Sequence, residues 1–423
     1  MTRFNTLIFL IALTFAGCTG VNPELRSGEW RGEFTVEGNK KIPFNFSVEG
    51  GKPALPKVFL LNGEERAELD AAYINSDSVV IPVNIYDAVL IAKVDADSLH
   101  GYFRKNQSGK QGLRFDAARN QNFRFNVGNE GVANSVGGKW SVNLISEKDG
   151  KTSTRYTVGL LEQKGNKVTG TILTTTGDYR YLEGVIDGTQ LRLSAFSGSS
   201  PTLIEAQLVD SLHLTGEFIS PTGKTILQAI KSDTAALPDP YTLTFLKPGF
   251  DRLSFSFPNL QGEPVSLKDK KYEGKVVVLT VLGSWCPNCV DEAAFLAPWY
   301  KENKDRGIEI VGLSFERKDD FEFAKARLST LIKKFDIQYD ILFAGVSDKK
   351  IVAQKLPELN TFLSFPTTLF IDKQGKVRKV HTGYSGPATG QYYEAYVREF
   401  NDEVNTLVNE PAEEKFKLVA SKP

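Results

Sequence analysis

The chain has 423 residues, with 51 Lys+Arg balancing 51 Asp+Glu, so its formal net charge is zero. That balance excludes a nucleic-acid binder working through a broad basic surface, and the apolar share of 41% and charged share of 24% are those of a soluble globular protein. The length exceeds one ordinary core and predicts two or three domains. There are only three cysteines, at positions 18, 286 and 289.

The N-terminus reads "MTRFNTLIFLIALTFAGCTG". One Arg precedes an apolar run from Leu7 to Gly17 that is too short to span a bilayer but suits the apolar region of a secretory signal. Small residues Ala16 and Gly17 then precede Cys18. The segment resembles a bacterial lipoprotein signal of Bacteroidota-like kind, with Phe15 where an aliphatic residue is usual. The resemblance implies a signal peptide over 1–17, a lipidated Cys18 held in the bilayer, and a tether over 18–25. An ordinary signal peptide with an incidental cysteine is the alternative. The implied location is the cell envelope, facing the periplasm, with the outer membrane favoured over the inner because Thr19 rather than Asp follows the cysteine.

Residues 26–230 carry short period-two runs such as "SVVIPVNI" and "YRYLEGVIDGTQLRLSAF". Turn pairs, among them Asp149-Gly150 and Gly165-Asn166, separate them. This predicts antiparallel sandwich or barrel structure without helices. The region repeats itself: "SGEW" ending at Trp30 returns as "GGKW" ending at Trp140, and "DSLHGYF" returns as "DSLHLTGEF". Two related β units follow, over 26–125 and 126–230, with Trp30 and Trp140 as core plugs and a faint likeness to small up-and-down barrels. His100 and His213 occupy matching places. Matching hairpin packing explains them better than a metal site, because no cluster of further ligands accompanies either.

Residues 231–250 contain three prolines and read as a linker. From 251 to 408 strands and helices alternate: "KVVVLTVLG" (275–283) as a buried strand, then a helix from Cys289, a strand over 308–316 and a helix over 319–335. A short strand at "YDILFA", a short helix at "KKIVAQKL", a hairpin of 364–372 with 376–384 and a closing helix follow. The pattern predicts a mixed sheet covered on both faces. Residues 409–423 read as a tail.

The chemistry concentrates in "GSWCPNCVDE". A Cys-x-x-Cys between a buried strand and a helix is a redox arrangement. The helix N-terminus, through its unpaired amides and dipole, stabilises a Cys286 thiolate. Cys289, one turn inside, is placed to resolve the mixed disulfide formed when Cys286 attacks a substrate. Pro287 fits the first helical turn. A structural thiol pair is the plain alternative; zinc would need a second pair, which is missing.

With "SFPTTLFID" about 80 residues downstream and the preamble "FPNLQGEPVSLKDKKYEGKVVVL", residues 251–408 resemble the thioredoxin superfamily, specifically the TlpA/ResA-type exported thiol-disulfide oxidoreductases. The resemblance implies a cis Pro366 beside the cysteines, pairing of an extended substrate with Phe365 and Thr367, and Trp285 covering the disulfide. It implies a disulfide reductase acting on envelope protein thiols or disulfides, supplied by an upstream membrane electron donor and using no cofactor beyond the Cys286–Cys289 couple. Two departures stand out. The position six residues before the first cysteine, a buried carboxylate in thioredoxins, is Thr280. Glu292, six residues after Cys286, matches a TlpA/ResA-type glutamate and takes the proton-handling role. A peroxiredoxin-like peroxidase is disfavoured because Leu279 and Thr280 do not supply its required Pro and Thr. A ligand-binding lipoprotein with an accessory redox domain is the third reading. The β units, lacking a reactive thiol, are expected to be spacer or docking modules dispensable for turnover.

Overall fold

The computed structural model describes residues 24–50, 55–75, 78–106, 112–128 and 134–411. Cys18 lies outside the described residues. Two all-β units precede a thioredoxin-like α/β domain.

The first unit is a nine-stranded antiparallel meander whose first strand, Gly28–Thr35, pairs with its last, Leu113–Arg119. It stays open between the edge strands Glu65–Glu68 and Tyr73–Asn75. The second closes fully. Eight strands run in sequence order from Gly138–Lys148 to Gly223–Lys231, which pair with each other and seal the barrel. Closure removes the edges that would invite aggregation.

The repeat is structural. Trp30 and Trp140 are both buried, and each indole donates to the carbonyl four residues earlier, Arg26 at 3.0 Å and Val136 at 2.8 Å. Gly101 and Gly216 each lie across from an alanine so closely that a Cβ would stand 2.0 and 2.1 Å from a neighbouring strand's carbonyl oxygen. The histidines each face one carboxylate, His100 with Asp116 at 2.8 Å and His213 with Asp210 at 2.9 Å.

The second unit inserts a side chain into the core of the first. Phe196, past the strand Gln190–Ala195, stands among Phe34, Phe44 and Phe103 with ring centroids 4.7, 5.3 and 5.1 Å away. Asn62 clasps its backbone in both directions, donating to the Phe196 carbonyl at 3.0 Å and accepting from its amide at 3.1 Å. Edge-to-face aromatic packing of this kind adds to the apolar burial itself.

The third domain has a five-stranded sheet ordered Asp340–Val346, Ile308–Glu316, Val276–Leu282, Thr367–Ile371, Val377–Thr382; the first three strands are parallel and the last two antiparallel. Val276–Leu282 is buried along its whole length, as its uninterrupted apolar run demands. Val276 and Val278 pack with helices α1 (Pro287–Asn303), α2 (Phe321–Phe335) and α4 (Gln391–Asn409). Val277, Leu279 and Val281 face α3 (Lys349–Lys355) and the 253–265 segment. No helix among the described residues is long and apolar enough to cross a membrane.

Candidate functional site

The strand Val276–Leu282 ends in Gly283, and the chain turns at once into α1. Gly283 is required here: a Cβ would stand 2.4 Å from the indole nitrogen of Trp285. That indole folds back to donate to the Phe315 carbonyl at 2.9 Å, meets Phe365 edge-on at 5.4 Å, and carries the Arg317 guanidinium 4.0 Å above its ring. Cys286 is the N-cap, in extended backbone, and Pro287 opens the helix where no amide hydrogen is needed. The N-cap position sets Cys286 at the positive end of the α1 dipole, although its side chain makes no capping hydrogen bond to the first-turn amides.

Both cysteines are thiols, and both are buried: Cys286 is 6% and Cys289 2% exposed. The difference in exposure on which a simple attacking-and-resolving pair would rest is therefore small. Their chemical surroundings differ more. Burial pushes the Cys289 thiol well up, and its hydrogen bond with Cys286 pushes further the same way. The Cys286 thiol instead faces the Phe365 carbonyl at 3.5 Å. The Phe365–Pro366 peptide bond is cis. Pro366 has no amide hydrogen, so nothing there competes for the sulfur. The Thr367 side chain is turned inward: it is fully buried and its hydroxyl donates to the Ser364 carbonyl at 2.8 Å.

Glu292 is not a solvated helix residue; it is 1% exposed, under the cysteine pair. Thr280 donates to one carboxylate oxygen at 2.5 Å and Thr368 to the other at 2.6 Å. These threonines are partners across neighbouring strands. Burial drives the Glu292 carboxyl up to about 7, with the hydroxyl donors pulling the opposite way. Thr280, which cannot take a proton itself, thus orients the group that can.

Sequence reading missed Glu316. It is buried at the end of its strand and accepts from the Ser284 amide at 2.9 Å, the Ser284 hydroxyl at 2.7 Å and the Ser314 hydroxyl at 2.7 Å. It pins the turn that launches Cys286. A glutamate at a strand end gives no sequence signal for this.

The β units also reach the site, so the spatial separation expected of a spacer is absent. The extension Gly177–Asp178 of the second barrel lies against the start of α1. Ser364 donates to the Thr176 carbonyl at 3.1 Å, and the Gly386 amide to Asp178 at 2.7 Å. Arg180 forks three ways: to Glu65 at 2.5 Å, to Tyr86 at 3.1 Å and to Asp291 of α1 at 3.1 Å. One guanidinium joins all three domains, two residues from Cys289. Burial raises Asp291 to about 7 although Arg180 opposes the shift.

The interior of the second barrel is filled by side chains such as Trp140, Ile172 and Leu214, leaving a void of about 30 Å³. Small-molecule sites run to several hundred Å³, far more than this apolar void.

The AhpC/TSA family profile matches residues 250–380. The chain is 29% identical over 150 residues to the thiol-disulfide oxidoreductase ResA of Bacillus thuringiensis subsp. konkukian (strain 97-27), covering 36% of this chain and 76% of that protein. It is 30% identical over 129 residues to the thioredoxin-like protein YneN of Bacillus subtilis (strain 168), covering 30% of this chain and 68% of that one. A solved thiol-disulfide oxidoreductase from Bacteroides fragilis NCTC 9343 aligns with 36% of this chain and 99% of its own at 23% identity, with a TM-score of 0.27.

Proposed function

The chain belongs to the thioredoxin-like thiol-disulfide oxidoreductases, and on that premise we propose that Cys286 and Cys289 are its working dithiol, held at the cell envelope by a lipid on Cys18. Protein thiols or disulfides are its substrates. The observation that carries the site assignment is the pairing of Cys286, at the α1 N-cap against the Phe365 carbonyl, with the buried Cys289 one turn inside.

The reaction runs as a reduction. The Cys286 thiolate attacks one sulfur of a substrate disulfide, forming a mixed disulfide and releasing the other sulfur as a thiolate that takes up a proton. Cys289 then loses its proton to Glu292 and attacks Cys286. The products are a Cys286–Cys289 disulfide and two substrate thiols, two electrons having passed to the substrate. An upstream membrane dithiol donor restores the reduced pair. Glu292 suits the base role because its affinity for a proton lies near neutrality. The Phe365 backbone, next to Pro366, pairs with the extended substrate; Trp285 covers the sulfurs. Thr367 serves this binding indirectly, by holding the Ser364 carbonyl.

A peroxidase reading is the alternative. It is weakened by Thr280, whose hydroxyl is committed to Glu292 rather than offered to Cys286. The outer membrane is favoured for the anchor, with the protein facing the periplasm. The test is a Cys289→Ser variant expressed in the native envelope. Mixed disulfides between Cys286 and envelope proteins should accumulate and dissolve on reduction; their absence overturns the assignment.

A further inference from the structure

The rim of the second barrel and the start of α1 enclose a cavity of about 470 Å³. Pro287 and Asn288, the two residues between the cysteines, form one wall. Thr176, Ser199, Thr222 and Thr225 of the barrel lie among the residues opposite. The cavity therefore sits between the two elements that frame the Cys286 sulfur. Pro287 follows Cys286 directly, and the Thr176 carbonyl is bonded to Ser364, beside the Phe365 carbonyl that faces the sulfur.

We propose that this cavity is a subsite for the residues flanking the reacting cysteine of a protein substrate, and that it selects small, uncharged polar side chains. The inference rests on the reading of Cys286–Cys289 as the working pair. Three observations carry it. The walls are dominated by Ser and Thr hydroxyls; Thr174 and Ser220 are saturated by their own turns, but Thr176 and Thr222, which donate to them, keep both acceptor positions unused in those contacts. The Asn288 side-chain oxygen is buried with no hydrogen-bond partner, an unfavourable state that rotation of this side chain toward a donor in the cavity would relieve. The lining sets Arg155 and Arg180 against Asp178, and Arg180 is paired with Glu65 and Asp291, so neither sign of charge dominates to hold an ionic ligand. A substrate disulfide brought to Cys286 necessarily carries neighbouring residues with it, and the cavity is open to receive them.

The test compares three probes on the full chain: a cyclic disulfide peptide with Ser, Gly and Asn flanks, the same peptide with Leu and Val flanks, and a flankless aromatic disulfide. The polar-flanked peptide should show at least a tenfold higher kcat/KM than the apolar one. Thr225→Trp, which fills the cavity from the barrel wall, should bring that ratio to within twofold. Thr222→Trp, on an exposed hairpin turn, should do the same without touching the barrel core. Equal rates for the two peptides, or a preference that survives both substitutions, overturns the subsite. A Cys286→Ser protein that still reduces the flankless disulfide overturns instead the reading of the dithiol.

Discussion

Gly177 of the second barrel and Asn288 of the redox helix occupy one another's space: a Cβ on Gly177 would stand 1.9 Å from the Asn288 amide nitrogen. The backbone there has φ +144°, outside the range L side chains adopt. Two conditions thus demand glycine, and the first exists only because the barrel is seated on the residues between the cysteines.

Gly177→Ala should therefore lose about 1–3 kcal/mol from backbone strain alone, and more from the collision. It should also speed alkylation of Cys286 as the barrel withdraws. Gly188→Ala is the control, since that glycine also has positive φ (+59°) but nothing within 4 Å. Urea unfolding and iodoacetamide trapping on both variants check this. Equal losses and unchanged alkylation would show that the contact with Asn288 carries no weight.

Arg180→Met should destabilise the protein by about 3–5 kcal/mol, because it strands Glu65 and Asp291 in a largely buried setting. The three domains meet at this side chain, so unfolding should also lose cooperativity. Calorimetry should show two resolved transitions in place of one. A single transition at the original temperature would mean the junction contributes nothing.

In the native reduced protein, iodoacetamide should modify Cys286 before Cys289. The margin comes from proton affinity rather than exposure: both thiols are buried, but burial and the Cys286 hydrogen bond hold Cys289 protonated. Peptide mapping after partial alkylation gives the order directly, and the reverse order removes the helix-terminus argument.

Glu292→Gln should leave the first attack nearly normal and slow release of the mixed disulfide by about 10²–10⁴-fold, the usual range for a lost general base. Stopped-flow mixing with a disulfide peptide separates the steps. The same residue predicts a pH effect on stability. Its folded proton affinity, near 7, lies above the ordinary carboxylate value of 4.5, so the folded state binds the proton more tightly than the unfolded chain. Stability should be greatest below about pH 4.5 on this account and fall as pH rises to about 7, by roughly 3 kcal/mol from this group. Glu292→Gln should flatten that part of the urea-midpoint profile, leaving the parallel contribution of Asp291.

Cys18→Ala should abolish metabolic labelling with palmitate. Unchanged labelling in that variant would place the lipid elsewhere or remove it.

The strand–turn–helix setting of Cys286, the alternation of the α/β domain and the doubled β unit were all legible in the sequence. Each is written in neighbouring residues: an apolar run before Gly283, Pro287 at the first helical position, and Trp and Gly recurring at matched spacing. Such local preferences and periodicities do not depend on what the segment later touches. Only the tertiary structure decided that Glu316 anchors the Ser284 turn, that Phe196 inserts into the core of the first unit, that Arg180 ties Asp291 to Glu65, and that Gly177 faces Asn288. These pairs join residues 32 to 226 positions apart. A charged residue destined for burial looks, along the chain, like any solvated one. Its fate depends on whether another domain brings the opposite charge and excludes the water, and no spacing or periodicity in the sequence encodes that.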